Sequence, residues 1–276
     1  MKRLAVLGQP VAHSRSPAMQ NAAIAALGLA DEWSYEAIEM PPADFAELTL
    51  ALPAEGFVGA NVTLPHKEAA LALAGDASAA ATEIGAANTL SFFGGQIRAD
   101  NTDAPGLLAA LPEAPAGKRA LVLGAGGSAR AVAWALTGQG ARTDIWNRTA
   151  ERAAELAGSL AATSAGAAGA LSAVTADQAR GGRYELIANC TAVGMSESED
   201  PFGELPLEPE AFGPGVLAVD LVYAGRETAL IAEARARGAG VVEGLDVLVH
   251  QGAQTLRIWT GMNPPLDVMR DAAASP

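Results

Sequence analysis

Ala120-Leu121-Val122-Leu123-Gly124-Ala125-Gly126-Gly127-Ser128-Ala129-Arg130 reads as a buried strand, a glycine turn and the first turn of a helix. Gly124, Gly126 and Ala129 fall on the dinucleotide fingerprint: one glycine for the tight turn, one for close approach of a pyrophosphate, and a small residue for helix–strand packing. The N–H groups that open the helix then face the phosphates. An apolar run precedes the pattern and the Ala-rich segment 129–136 follows it, which is the context the fingerprint needs.

The end of the next strand selects the dinucleotide. Ala141-Arg-Thr-Asp-Ile-Trp146 reads as that strand, and Asn147-Arg148-Thr149 follows about twenty residues after the glycines, where the adenosine ribose belongs. An NAD site places Asp or Glu there. This chain places Arg148, with Arg152 one helical turn later, two cations suited to a 2′-phosphate that a carboxylate would repel. NADP is the expected cofactor.

The 276 residues suffice for two domains, and half of them are hydrophobic, enough for a sizeable core. The 31 acidic against 18 basic residues give a formal charge of −13, which argues against nucleic acid and against an anionic membrane surface. Cys190 is the single cysteine; it excludes an internal disulfide framework, fits a reducing cytoplasm, and reads as a small core filler. The apolar run after Lys2-Arg3 stops at Gly8-Gln9-Pro10, too short for a secretory signal. No run approaches the ~20 apolar residues of a membrane span. Three scattered histidines suggest no metal site, and His13 reads as a loop residue.

Residues 2–8 read as a strand, followed by His13-Ser14-Arg15-Ser16-Pro17 with Ser16 as N-cap of a helix over 18–27. Capping explains Ser16 but not Ser14, and two hydroxyls at i and i+2 beside helix-start N–H groups make a seat for a carboxylate. A strand at 33–38, a helix at 43–52 and a strand at 57–63 lead to Leu64-Pro65-His66-Lys67, where Pro65 suits the first turn of a helix over 67–74. Thr63 and Lys67 thus stand at a strand-to-helix junction, the place where open α/β sheets line their ligand crevice. A lone lysine there is otherwise a solvated charge. Residues 85–90 and 92–97 read as a hairpin turning at Gly94-Gly95, and Asp103 opens a helix as a favourable N-terminal charge. Residues 160–174 are too rich in Ala, Gly, Ser and Thr to read. Further strands are expected at 184–188 and 216–220, and an amphipathic helix after 244–251 running through Trp259.

Together, Ser14-Arg-Ser-Pro17, Asn61-Val-Thr-Leu-Pro-His-Lys67, Gly85-Ala-Ala-Asn-Thr89, Asn101-Thr-Asp103, the glycine loop, Asn147-Arg-Thr149, Asn189-Cys-Thr191 with Gly194-Met195, and Gln251 resemble the shikimate dehydrogenase family over nearly the whole chain. The resemblance implies NADP-dependent reduction of 3-dehydroshikimate to shikimate, a step of chorismate and aromatic amino-acid biosynthesis. It implies that Ser14, Ser16, Thr63, Asn88, Asp103, Tyr223 and Gln251 hold the substrate, and that Lys67 and Asp103 carry the acid–base work. It assigns Gly124, Ala125, Gly126, Gly127, Ser128, Ala129, Arg130, Asn147, Arg148, Thr149, Arg152, Thr191, Val193, Met195, Val219 and Gly244 to the cofactor. Gly225 two residues after Tyr223, Glu243 before Gly244, Val247 and Gln20 depart from the family pattern and bear on loop rigidity and substrate preference.

The expected architecture is two α/β domains: residues 1–101 with 240–276 for the substrate, and 102–239 as a Rossmann-type NADP-binding domain. The expected partner is a small hydroxy acid, with neither nucleic acid nor membrane, and the sequence leaves monomer and homodimer both open. A broader quinate/shikimate dehydrogenase using NAD is disfavoured by Arg148, and a non-catalytic NADP-responsive protein by the presence of both Lys67 and Asp103. A methylene-tetrahydrofolate dehydrogenase fits the Ser14/Ser16 seat less well. Arg148 generates a direct expectation: kcat/KM favours NADP over NAD by at least about tenfold, which needs only ~1.4 kcal/mol. Arg148→Asp should erase or reverse that preference in a comparison of initial rates with the two cofactors.

Overall fold

The computed structural model describes residues 1–196, 200–223 and 225–275, and the chain divides into two compact units, Met1–Gly106 with Leu248–Pro276, and Leu107–Val247. The first unit is built from β1 (Lys2–Gly8), α1 (Ser16–Ala26), β2 (Trp33–Glu39), α2 (Phe45–Ala51), β3 (Phe57–Val62), α3 (Lys67–Leu73), β4 (Asp76–Ala77), α4 (Ala79–Ile84), β5 (Thr89–Phe93), β6 (Gln96–Asp100) and the start of α5 (Asp103–Ala110). The second runs through β7 (Arg119–Leu123), α6 (Gly127–Gly138), β8 (Arg142–Trp146), α7 (Ala150–Ala161), α8 (Ser164–Ala168), β9 (Leu171–Ala173), α9 (Ala176–Gly181), β10 (Leu186–Asn189), α10 (Pro201–Glu204), β11 (Leu217–Asp220), α11 (Ala229–Ala236) and β12 (Gly240–Glu243). The chain returns to the first unit along α12 (Gly244–Thr260) and ends with α13 (Leu266–Ala274).

The first sheet is mixed, in the order β2-β1-β3-β5-β6-β4. β1 pairs in parallel with β2 and β3, while β3/β5 and β5/β6 are antiparallel, and Gly94 and Gly95, both at positive φ as a tight hairpin requires, turn β5 into β6. Apolar residues of β1, β3, β5 and β6, among them Ala5, Leu7, Ala60, Val62, Leu90 and Ala99, form a core with Phe45 and Leu52. The second sheet is parallel throughout, β12-β11-β10-β7-β8-β9. Read from β9 inward, this is the doubly wound order in which the chain reverses direction beside its first strand. Leu121, Val122 and Leu123 of β7 are fully buried, as a central strand covered on both faces requires. No helix among the described residues is long and apolar enough to cross a membrane.

Several local expectations are corrected. Helix α1 begins at Ser16 with Arg15 at the N-cap, so Ser16 is not the cap; instead the Ser16 N–H donates to Ser14 Oγ at 3.3 Å. Pro65 lies outside α3, in a turn closed by the His66 N–H on the Thr63 carbonyl at 3.0 Å, and the helix starts only at Lys67. Gly85 is the left-handed end of α4, and the hairpin strand starts at Thr89. The segment 244–251 belongs to the helix, which runs 17 residues without a break. Cys190 is partly buried just past the end of β10. Residues 160–174 resolve into the end of α7, all of α8 and β9.

Helix α12 docks so closely that side chains are excluded at its contacts. A Cβ at Gly106 of α5 would stand 2.6 Å from Gln251 Cβ and 2.8 Å from Gln251 Cα, and a Cβ at Gly59 of β3 would overlap the Trp259 indole. Trp259 uses that opening to donate from Nε1 to the Leu90 carbonyl at 3.1 Å. Gly106→Ala sets two effects against each other. Helix propensity gains about 1 kcal/mol, whereas displacing the backbone of α12 costs about 1–3 kcal/mol. Urea unfolding is expected to show net destabilisation; a gain of stability would mean that α12 moves aside freely.

Candidate active site

Lys67 opens α3 and Asp103 opens α5, and the Lys67 Nζ meets Asp103 Oδ2 at 2.6 Å with side chains 12 % and 15 % exposed. A helix N-terminus disfavours a cation and favours an anion, so Asp103 is at home on its helix and offsets the misplaced charge on the other. Asn101 caps α5, its Oδ1 accepting from the N–H groups of Asp103 and Ala104, and so fixes where the Asp103 carboxylate stands.

Asn88 fills the space behind this pair. Its Nδ2 donates to Asp103 Oδ1 at 2.8 Å, to Thr102 Oγ1 at 2.9 Å and, less closely, to Gln251 Oε1 at 3.2 Å. Its Oδ1 accepts the Thr102 N–H at 2.7 Å. Gln251 anchors its other end by donating to the Leu248 carbonyl. Lys67, Asn88, Asp103 and Gln251 are therefore one hydrogen-bonded group in the first unit. Thr63 follows β3 in the same unit, with its methyl against the open face of Gly8. Ser14 and Ser16 stand at the head of α1, also in this unit. The Ser14 hydroxyl, accepting from Ser16 N–H, keeps its proton for an outside acceptor. Tyr223 belongs to the second unit, beyond β11.

In the second unit the glycine loop joins β7 to α6. Gly124 sits at φ +111°, and a Cβ there would press on the Cys190 carbonyl at 3.1 Å. Gly126, the N-cap of α6, faces open space. Ala129 is fully buried against the sheet. This is the division of labour the fingerprint requires, with room above Gly126 for a diphosphate at the first turn of α6, where Gly127 and Ser128 lie. Arg148 and Arg152 flank the start of α7, and the side chain of neither makes an ion pair or hydrogen bond with the described residues. Asn147 shapes the turn between them by donating to the Thr149 carbonyl. The residues present fit NADP.

The loop after β10, adjacent to the glycine loop, is shaped by Asn189, which the sequence reading quoted only within a motif, and by Asp220, to which it gave no role. Asn189 and Asp220 are both fully buried and hydrogen-bonded at 2.9 Å. Asn189 accepts from the N–H and hydroxyl of Thr191, and Thr191 Oγ1 accepts from the Val193 N–H, which curls 191–195 over the strand end. Burial pushes the Asp220 carboxyl pKa up, while hydrogen bonds from Thr228, Val222 and Asn189 pull it back. Met195 is exposed. Val219 is fully buried inside β11, and a Cβ at Gly244 would press on the carbonyls of Leu221 and Val222. In the first unit, Asn61, Thr89, Thr102 and Thr255 were also missed as site residues; Thr255 stands four residues after Gln251, on the same helix face. No group of histidine, cysteine or carboxylate side chains among the described residues could hold a metal ion.

Three family models match the chain: "Shikimate dehydrogenase substrate binding domain" over residues 6–90, "Shikimate / quinate 5-dehydrogenase" over 109–175 and "Shikimate 5'-dehydrogenase C-terminal domain" over 244–274. The NADP(+) shikimate dehydrogenase of Moorella thermoacetica is 44% identical over 96% of this chain and 90% of its own length. That of Thermus thermophilus is 45% identical over 99% and 98%. The crystal structure of the Thermus thermophilus shikimate 5-dehydrogenase in complex with NADP(H) and shikimate superposes with a TM-score of 0.85 at 43% identity, covering 99% of this chain and 98% of that one. With these matches added to the paired Lys67 and Asp103 and the glycine loop at the reversal of a parallel sheet, the chain belongs to the shikimate dehydrogenase family.

Proposed function

We propose that this protein catalyses the reversible NADPH-dependent reduction of 3-dehydroshikimate to shikimate. The first unit holds the substrate and the second holds the cofactor. The observation that carries the reading is the Lys67–Asp103 pair set among the amides of Asn88 and Gln251. NADPH, when bound, supplies the hydride. As the carbonyl carbon is reduced, charge builds on its oxygen, and the Lys67 ammonium donates the proton that turns that oxygen into a hydroxyl. Asp103 holds the ammonium in place at 2.6 Å and accepts from a neighbouring ring hydroxyl. In the reverse direction Lys67 takes the proton back. Thr63 and Gln251 supply directional partners to ring hydroxyls, Asn88 orients the Asp103 carboxylate through its Nδ2, and the hydroxyls of Ser14 and Ser16 donate to the carboxylate of the substrate. Arg148 and Arg152 meet the 2′-phosphate, with Thr191, Val193 and Met195 beside the cofactor. Cys190, the one cysteine of the sequence, supports a reducing compartment, the cytoplasm.

Purified protein supplied with shikimate or quinate and either oxidised cofactor, followed by absorbance of the reduced nicotinamide, should be fastest with shikimate and NADP. Lys67→Ala should lower kcat by about 10²–10⁴ with a much smaller change in KM, because proton donation belongs to the transition state. A rise in KM alone would make Lys67 a binding cation. Replacing Ser14 and Ser16 together by Ala should weaken shikimate binding by about 1–3 kcal/mol per lost bond to charge, with NADP affinity near normal. A parallel loss of NADP affinity in a binding titration would move the carboxylate seat elsewhere.

A further inference from the structure

Behind the Asn88 amide lies a closed set of buried hydroxyls, those of Thr89, Thr102 and Thr255, of which Thr89 and Thr255 have no exposed surface. Counting protons through this set assigns each one. Asn88 Oδ1 accepts the Thr102 N–H at 2.7 Å, and the hydroxyls of Thr89 and Thr102 both stand 3.1 Å from it. Thr102 Oγ1 already receives a proton from the same amide, so the second lone pair goes to Thr89, whose other acceptor, Thr255 Oγ1 at 3.0 Å, is taken by Thr102 at 2.9 Å and Asn61 at 3.2 Å. Asn88 Nδ2 has two protons, and the nearest acceptors are Asp103 Oδ1 at 2.8 Å and Thr102 Oγ1 at 2.9 Å. A flipped Asn88 would turn its carbonyl toward the Asp103 carboxylate, so this orientation is the one that electrostatics allows.

Thr102 Oγ1 then accepts from Asn88 and must send its own proton elsewhere. The nearest acceptors still open are Thr255 Oγ1 at 2.9 Å and Gln251 Oε1 at 3.4 Å. Thr255 is the nearer, and its own proton goes to the Gln251 backbone carbonyl one turn back, at 3.1 Å. Asn61 Nδ2 also points at Thr255, from 3.2 Å, and is itself held by the Tyr35 hydroxyl on its Oδ1.

We propose that Thr255 is a positioning residue for the substrate site: by taking the Thr102 proton it leaves Gln251 Oε1 ready to accept from a substrate hydroxyl. The role rests on the substrate site proposed above. Without the Thr255 hydroxyl, the Thr102 proton turns to Gln251 Oε1 and occupies the acceptor that the substrate needs.

Thr255→Val keeps the side-chain volume and removes the hydroxyl; Thr255→Ser keeps the hydroxyl and removes a methyl. The expected result is a rise of about tenfold in KM for shikimate with the valine variant, a smaller change in kcat, and an unchanged KM for NADP. The serine variant should stay within about twofold of the unmodified protein. Unchanged shikimate KM in Thr255→Val, equal losses in both variants, or a parallel rise in KM for NADP would each overturn the positioning role, the last two pointing to packing alone. Should Thr255→Val fail to fold, Thr255→Ser against Thr255→Ala, which both lack the methyl and differ only by the hydroxyl, makes the same comparison. The unmodified protein is the control that separates the two layers: if it turns over no shikimate, the assigned reaction fails and this role with it. If it does and Thr255→Val matches it, the positioning role alone fails.

Discussion

The organisation of the first unit depends on how near one helix backbone can come to its neighbours. Helix α12 reaches the sheet and α5 only because Gly59 and Gly106 present no side chain where Trp259 and the Gln251 backbone arrive. Close packing at native density leaves no slack at such contacts. A displacement of a few tenths of an ångström at Gly106 carries directly to Gln251 and, one turn on, to Thr255. The same contact therefore sets both the stability of the unit and the spacing of its amides and hydroxyls.

That spacing matters because the polar groups involved are out of water. In a buried network each unmet donor or acceptor costs about 1–3 kcal/mol, and complete satisfaction fixes one arrangement of the side chains. Asn61, Asn88, Thr89, Thr102 and Thr255 form such an arrangement beneath Lys67 and Asp103, and Asn189 with Asp220 and Thr228 repeats the device in the second unit. In both units a short rigid set of amides and hydroxyls, and not a long salt-bridge array, gives the loops at strand ends their shape.

The second unit was legible in the sequence because its signals are local. A strand, a glycine turn and a helix sit within a dozen residues around Gly124, and Arg148 follows at a spacing set by one strand-helix-strand passage. Membership of the family was legible from the same kind of short motif. The first unit was less so. That Ser14, not Ser16, receives the helix-start N–H depends on one residue of helix phase, which composition does not carry. Asn61, Thr102 and Thr255 look like ordinary small polar residues until the return of α12 brings position 255 beside positions 61, 89 and 102, a juxtaposition no window along the chain contains.

The order of the chain has a consequence for biosynthesis. Trp259, Thr255 and Gln251 are all made after residues 107–247, although they complete the unit that begins with Met1. During translation the second unit can fold as soon as β12 has emerged, since domains form as units in the order they appear. Over that interval the nascent first unit lacks the helix that supplies the Thr255 and Gln251 partners of Asn61 and Asn88. Closure of that network therefore waits until α12 has been made, and only then is the set of groups around Lys67 complete.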